Sequence, residues 1–424
     1  MRLPAPARVR LLLRRLVQRP IVRREGFGCL VSLEHPPLLL LLDHRATRRL
    51  GLADARTSTR LATSASPGDP LRLRAPVEAH LALTRRCTHH CPTCYMDSLP
   101  PAPPPAGELD EAGWRAVLRM LAGEGVLQVA LGGGESLLVP YLASLAREAR
   151  SLGLVPNLTT AGGEIDRGWC RTVAPLFGCI HVSLDGPAAV HDRLRGAGAW
   201  QEAQQALARL AAVHPAVGAN LLLTRQGLAA LEEVARLVHR SGGVQLELLR
   251  FKPVGRARQS EPALAPGPEE LLTLWPRLQR LACRERGLRL RVDCSLIPFL
   301  VSAGAADPGL LRRLGGLGCE AGHWLVAVDP QGRLSGCSFF PPLPGAPDAR
   351  LPGALRAGDP FAPFTSFRTA PPAPCRSCDA FALCLGGCRA VAFARTGDPR
   401  APDPDCPRVL GLVGRPADAA GWPR

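Results

Sequence analysis

The chain has 424 residues, 46% apolar and 21% charged, so it can bury a large core in two or three domains and is not disordered. Its formal charge of +16 is carried by arginine, Lys252 being the sole lysine, and residues 1–80 hold 15 Arg against 6 Asp or Glu, which is +9 of the total. A basic N-terminal segment is therefore the place to look for an acidic partner, an arginine-rich solvated face being the alternative, while the remaining surface is nearly balanced.

The 15 cysteines form an odd set gathered in C-x2-C and C-x3-C groups, which points to metal ligation in a reducing compartment rather than to secreted disulfides. Arg8, Arg10, Arg14 and Arg15 break the first apolar stretch before it reaches signal-peptide length, and the leucine run 38–42 is too short to span a bilayer. The expectation is a cytoplasmic protein with no membrane contact.

In chain order, residues 20–50 read as short strands broken at Gly26, Gly28 and Pro36–Pro37 and followed by a short polar helix. They predict a small basic α+β module within residues 1–70, closed by the linker TSASPGDP at 63–70. Strand-like runs follow at 77–84, 126–131, 155–160, 179–184, 217–224 and 244–251. Between them Leu109, Trp114, Val117, Leu118 and Leu121 recur at helical spacing, as do Leu228, Leu231, Val234 and Leu237. Six βα units over 77–260 predict an α/β fold, a parallel sheet curled into a partial (β/α)6 TIM-type barrel with function at the C-terminal strand ends. A linker region over 261–315 carries a helix at 268–284. Residues 316–410 are poor in regular pattern but hold seven cysteines, the mark of a unit stapled by metal, and 411–424 form a tail.

The first strand is followed at once by CTHHCPTC, in which Cys87, Cys91 and Cys94 fit three corners of a 4Fe-4S cluster. The alternative is a zinc site borrowing His89 or His90 from inside the loop. The second strand ends in LGGGES, where Gly133 and Gly134 would let a ligand approach the backbone and Glu135 could bind an amine. The third ends in TTAGG with Thr159 and Thr160, and the fourth in VSLDGPAAVHDRLRG with Ser183, Asp185, His191, Asp192 and Arg195. Any one of these polar residues is more often a cap, but together they mark the rim of one barrel.

These motifs resemble the radical S-adenosylmethionine (SAM) superfamily over about residues 77–410. The resemblance implies that Cys87, Cys91 and Cys94 hold a 4Fe-4S cluster whose open iron is chelated by SAM. It assigns SAM binding to Gly133, Gly134, Glu135, Thr160, Ser183 and Arg195. Thr93 stands where the family usually has an aromatic residue, with Tyr95 just beyond. Chelated SAM is cleaved reductively, and the resulting 5′-deoxyadenosyl radical takes hydrogen from an unactivated carbon.

The run Cys319, Cys337, Cys375, Cys378, Cys384, Cys388 and Cys406 resembles the SPASM domain, which carries two auxiliary 4Fe-4S clusters. By that pattern Cys375, Cys378, Cys384 and Cys406 enclose one cluster, while Cys319, Cys337 and Cys388 hold the other. A fourth ligand for the latter often lies shortly after the first cysteine, and CEAGHWL offers none, which leaves that cluster open, ligated by a residue the sequence does not identify, or free to bind substrate. A zinc ribbon at Cys375 and Cys378 is the competing reading. Cys29, Cys170, Cys179, Cys283 and Cys294 read as buried small apolar residues.

SPASM enzymes mostly modify peptides or proteins, and the N-terminal module resembles a truncated peptide-binding winged helix. The function implied is crosslinking or oxidation in a ribosomally made peptide, with a low-potential donor such as flavodoxin or ferredoxin. Rival readings are a sulfatase-maturase type, in which Ser338 replaces the expected aspartate, and a small-molecule or cofactor-synthesis dehydrogenase. A non-catalytic iron–sulfur carrier or an RNA-binding protein is a reading of another class, and 4% aromatic residues give few stacking platforms for nucleic acid.

Overall fold

The computed structural model describes residues 21–33, 38–52, 73–102, 106–302, 307–313, 316–356 and 360–413. The arginines of the first 20 residues, the linker 63–70 and most of the tail 411–424 lie outside them. Strands β1 (Ile21–Glu25), β2 (Gly28–Leu33) and β3 (Leu38–Asp43) form an antiparallel sheet in that order, and the short helix His44–Arg49 follows. Asp43 starts this helix by accepting a hydrogen bond from the Ala46 amide.

The module is fixed to the rest of the chain by a buried arginine. Arg23 Nη1 donates to the carbonyls of Pro76 and Gly125, at 2.8 Å each, while its Nε pairs with Glu25 at 2.6 Å. Leu30 packs beside them against Val77 and Leu127. These contacts lie just before the second sheet's strands begin, so the module sits at their N-terminal ends.

That sheet contains the six expected strands, β4 (Glu78–Ala82), β5 (Gln128–Gly132), β6 (Val155–Thr160), β7 (Ile180–Ser183), β8 (Val217–Leu223) and β9 (Gln245–Arg250), all parallel. It extends further at both edges. β10 (Arg289–Val292) adds beside β9, and β11 (Leu325–Val328) adds parallel to β4 and continues into β12 (Leu334–Ser335). The order is β10-β9-β8-β7-β6-β5-β4-β11-β12, a curled sheet left open between its edges. None of the three added strands was expected, because four residues with two arginines (RLRV), four in a cysteine-rich segment (LVAV) and two (LS) are too short to stand out.

Alternation along the strands sorts the side chains. Ala79 and Leu81 of β4, Val129 and Leu131 of β5, and Ala219 and Leu221 of β8 are buried under the helices. The helix Glu111–Glu124 covers them with the expected face of Trp114, Val117, Leu118 and Leu121, capped by Asp110 and stopped by left-handed Gly125. The inner face is polar instead, with Glu78, His80, Gln128, Asn157, Asn220 and Glu247 bordering a cavity of about 1360 Å³. A TIM barrel fills this space with bulky branched side chains. Here it stays open from the C-terminal rim to the small module, whose Leu33, Leu39 and Leu41 also line it.

The cysteine-rich segment is held to the barrel by a buried ion pair. Arg250 at the end of β9 bonds Asp403 at 2.6 and 3.1 Å and Asp405 at 2.9 Å, and Asp403 also accepts from the Cys388 amide at 2.8 Å. Among the described residues no helix is long and apolar enough to cross a membrane.

Candidate functional site

Cys87, Cys91 and Cys94 lie on the loop after β4, at the C-terminal rim, and all three line the cavity as free thiols. Backbone amides turn toward two of the sulfurs, His89 N to Cys87 Sγ at 3.4 Å and Ser98 N to Cys94 Sγ at 3.5 Å. Burial pushes the Cys87 thiol up to about 11. An anionic ligand set here therefore needs a positive partner, which an iron–sulfur core supplies. Neither histidine of the loop borders the cavity, and His89 Nδ1 is engaged with the Arg195 carbonyl at 2.8 Å. Among the described residues no three His, Cys, Asp or Glu side chains are set to hold a single metal ion. The fit to a cluster rests on the placement of the thiols around a common space and on their N–H···S contacts.

The glycines after β5 serve this loop. A Cβ on Gly134 would stand 2.2 Å from the Arg86 carbonyl oxygen, and one on Gly133, at φ 125°, would stand 2.6 Å from that of Thr84. Their absence lets Gly134 N bond Thr84 O at 2.7 Å and Glu135 N bond Arg86 O at 2.8 Å, so two rim loops pack backbone to backbone. Close approach is what these glycines permit, but here the partner is the cysteine loop itself. Glu135 is 5% exposed and points across to β6, where its carboxylate accepts from Thr160 Oγ1 and Ala161 N at 2.8 Å each. Glu135 and Thr160 thus form one unit on the cavity wall, with a lone pair set left for a cationic group.

At β7 the candidates divide. Ser183, Asp185 and Arg195 line the cavity. Arg195 Nε bonds Asp185 Oδ2 at 2.6 Å, and Asp185 Oδ1 accepts from Leu222 N at 3.1 Å. Desolvation opposes the charge on Arg195, but Asp185 and the nearby Cys91 and Cys87 outweigh it and raise its pKa. The guanidinium is therefore a fixed positive charge beside the cysteine loop. His191 and Asp192 do other work. His191 is fully buried and accepts from Asp185 N, and Asp192 caps the next helix through Gly198 N and Trp200 N.

The C-terminal cysteines form two groups. Cys319, Cys337 and Cys388 line the same cavity as the first loop. Cys375, Cys378, Cys384 and Cys406 do not border it, yet each of the four thiols lies within electrostatic reach of at least one other. Tyr95 bridges the first loop to this segment, its ring 4.5 Å from that of Phe339. Ser338, next to Cys337, stands 2.7 Å from His80 Nδ1, and His80 Nε2 is 3.7 Å from Glu78.

Several residues at the site have no sequence signal. Arg256 Nε donates to Cys91 O at 3.2 Å and its Nη1 to Ser98 O at 2.8 Å, while Ser260 Oγ donates to Pro92 O at 2.8 Å, so the segment after β9 clamps the cysteine loop. Lys252 pairs with Asp293 and sits 4.0 Å over the Phe339 ring.

Comparison with known proteins agrees with this geometry. Residues 81–238 match the Radical SAM superfamily. The chain is 31% identical to the PqqA peptide cyclase of Gluconobacter oxydans (strain 621H) over 349 residues, covering 80% of this chain and 91% of the relative. It is 30% identical to the mycofactocin maturase MftC of Mycobacterium tuberculosis, over 79% of this chain and 83% of that one. The fold is shared with Streptococcus suis SuiB, solved bound to its precursor peptide SuiA, at a TM-score of 0.69 and 17% identity over 91% of this chain and 98% of the other. With cysteines, glycines and acidic residue of the expected kinds at successive strand ends, and relatives matched along most of its length, the chain belongs to the radical SAM superfamily.

Proposed function

We propose that this enzyme modifies a ribosomally made peptide by SAM-dependent radical chemistry, forming a crosslink or oxidising a side chain. Membership of the superfamily implies a 4Fe-4S cluster and SAM; the residues suited to them are Cys87, Cys91 and Cys94 for the cluster, and Gly133, Gly134, Glu135, Thr160, Ser183 and Arg195 for SAM. When bound, this pair supplies a radical able to take hydrogen from carbon. The chain's own part is to hold the SAM amine near Glu135, keep Arg195 beside the cluster thiolates, and shield the reaction inside the barrel.

One observation carries the peptide reading. A single cavity of about 1360 Å³ joins the first cysteine loop, the Cys319/Cys337/Cys388 group and the N-terminal module. β3 pairs only with β2 among the described residues, so its other edge suits an added peptide strand. PqqA peptide cyclase, mycofactocin maturase and SuiB with its precursor peptide point the same way.

The C-terminal cysteines read as a SPASM domain with two auxiliary 4Fe-4S clusters, one in the cavity wall and one behind it. Oxidation of a substrate releases protons as well as electrons, and His80, held between Glu78 and Ser338 on the wall, is the group suited to receive one. A low-potential flavodoxin or ferredoxin would deliver the first electron. All 15 cysteines are free, which suits the cytoplasm. The test is anaerobic co-expression with short peptides encoded beside this chain's gene, read by mass spectrometry. A peptide that loses hydrogens only when Cys91 is intact supports the reading; unchanged peptides alongside turnover of a small molecule overturn it.

A further inference from the structure

The cavity-wall group of Cys319, Cys337 and Cys388 is one thiol short of closing a cubane, and the segment after Cys319 supplies none. His323 in that segment is engaged elsewhere, its Nε2 accepting from Leu73 N at 3.2 Å. Glu320 has Arg291, Glu78, Asp293 and Glu247 as its charged neighbours, with Arg291 its principal counter-charge. The structure brings a different residue to the place. Cys294 follows β10 at the C-terminal rim and opens a short turn, Cys294–Leu296, fixed by Asp293 accepting from Ser295 N at 2.7 Å. It borders the same cavity as the three cysteines.

Resting on the auxiliary-cluster reading above, we infer that Cys294 is the fourth thiolate ligand of the Cys319/Cys337/Cys388 cluster, which is thereby closed to substrate and serves as an electron carrier.

Three observations carry this. First, contacts tie the Cys294 turn to the group: Asp293, the residue before it, pairs with Lys252, whose ammonium sits 4.0 Å over the ring of Phe339, two residues beyond Cys337, and the charges around Cys294 are Asp293, Glu320, Cys319 and Cys388. Second, the other unassigned cysteines have no such company. Cys29 accepts from Thr47 Oγ1 at 3.3 Å in the small module, Cys170 is buried in the main core, and Cys283 is exposed. Cys179 borders the cavity too, but its neighbours are Glu78, Arg291, Glu247 and Arg289. Third, a counter-charge is built in. Lys252, the sole lysine, is buried with Asp293 and has Cys388 and Cys294 among the charges around it. A cluster bound by four thiolates is anionic, and Lys252 with Arg250, both of which favour the Cys388 thiolate, offsets part of that charge while each also holds an aspartate.

A three-thiolate cluster would leave one iron for substrate to occupy. With Cys294 in place every iron would carry a protein ligand, so a substrate radical, already one hydrogen short, would pass its electron to this cluster without binding iron while its proton goes to a wall group such as His80.

The test uses full-length protein with Cys87, Cys91 and Cys94 all changed to Ala, so that the remaining iron is auxiliary. The readouts are iron content, electron paramagnetic resonance, and hyperfine coupling from added ¹³C-cyanide as a probe for an open iron. The expected parent has about eight irons per chain, four per cubane, and shows no cyanide coupling. Cys294→Ser should lose about one iron per chain to a three-iron signal or gain cyanide coupling, while Cys283→Ser and Glu320→Gln behave as the parent. Cyanide coupling in the parent, or a Cys294→Ser spectrum identical to it, overturns the assignment of Cys294 alone. A parent with only about four irons, all of them retained in Cys337→Ser, overturns the cavity-wall cluster itself, and Cys294 with it.

Discussion

Replacing Arg250 by Met tests how the cysteine-rich segment is held to the barrel. The guanidinium is 2% exposed and makes two bonds to Asp403, which is fully buried, and one to Asp405. Without it, Asp403 keeps only the amides of Cys388 and Asp405 as donors. Breaking a buried pair from one side costs about 3–5 kcal/mol, because the remaining charge is stranded. Hydrogen exchange of the reconstituted enzyme, followed on peptides spanning 386–406, should then quicken by roughly 10²- to 10⁴-fold, at about 1.4 kcal/mol per tenfold. The penalty should depend on pH. Burial raises the Asp403 carboxyl while Arg250 and the amides hold it below its ordinary value, so in the wild type its contribution is present at neutral pH and lost as pH falls through that depressed value. In the variant burial dominates, the carboxyl pKa rises, and protonation relieves the cost as pH falls. The gap between the two proteins should be widest near pH 7–8 and narrow toward pH 4–5. Adding Asp403→Leu should recover part of the loss, since both charges are then gone. An effect under tenfold, or two changes that simply add, would refute the reasoning.

Gly134→Ala should lower iron at the Cys87 loop while sparing the C-terminal iron, because its methyl would stand 2.2 Å from the Arg86 carbonyl oxygen; full iron content would contradict this. Glu135→Gln should leave iron unchanged but weaken SAM binding about tenfold or more, as expected for a charged hydrogen bond of about 1.5–3 kcal/mol, measured by calorimetry. His80→Gln should cut peptide product about tenfold or more while SAM cleavage without peptide is unchanged; equal loss of both would deny it a proton-accepting role. His191, depressed by burial to about 4 from an ordinary 6.5, favours the neutral form in the fold. Its stabilisation is therefore present above about pH 6.5 and lost as pH falls toward 4, by roughly 3 kcal/mol, and the thermal midpoint of His191→Gln should fall less between pH 7.5 and 5 than that of the wild type.

The six central strands were legible because each is a short apolar run between helical patterns, and the cysteine and glycine motifs because their spacing is local. Burial of Trp114 and Leu118 followed from helical periodicity in the same way. What escaped were contacts between residues far apart in the chain that belong to no repeating pattern. Arg23 reaching the carbonyls of Pro76 and Gly125, Arg250 meeting Asp403, and Arg256 clamping the cysteine loop each join segments that only the folded sheet brings together. The place of Cys294 on the cavity wall escaped for the same reason, since a single cysteine in an irregular turn looks like any small buried residue. β10 and β11 were missed because four residues give too little alternation to read. The glycines of LGGGES were found, but their nearest partner, the backbone of the cysteine loop, could be seen only in three dimensions.

Anaerobic reconstitution followed by chemical reduction in the presence of SAM reaches the heart of the matter, because the whole site is read as an arrangement for cleaving it. Wild-type protein should release 5′-deoxyadenosine, and Cys91→Ala should abolish that release while retaining the C-terminal iron. Absence of 5′-deoxyadenosine from the fully loaded protein, or its undiminished release by Cys91→Ala, would contradict the assignment of this loop as the SAM-cleaving centre.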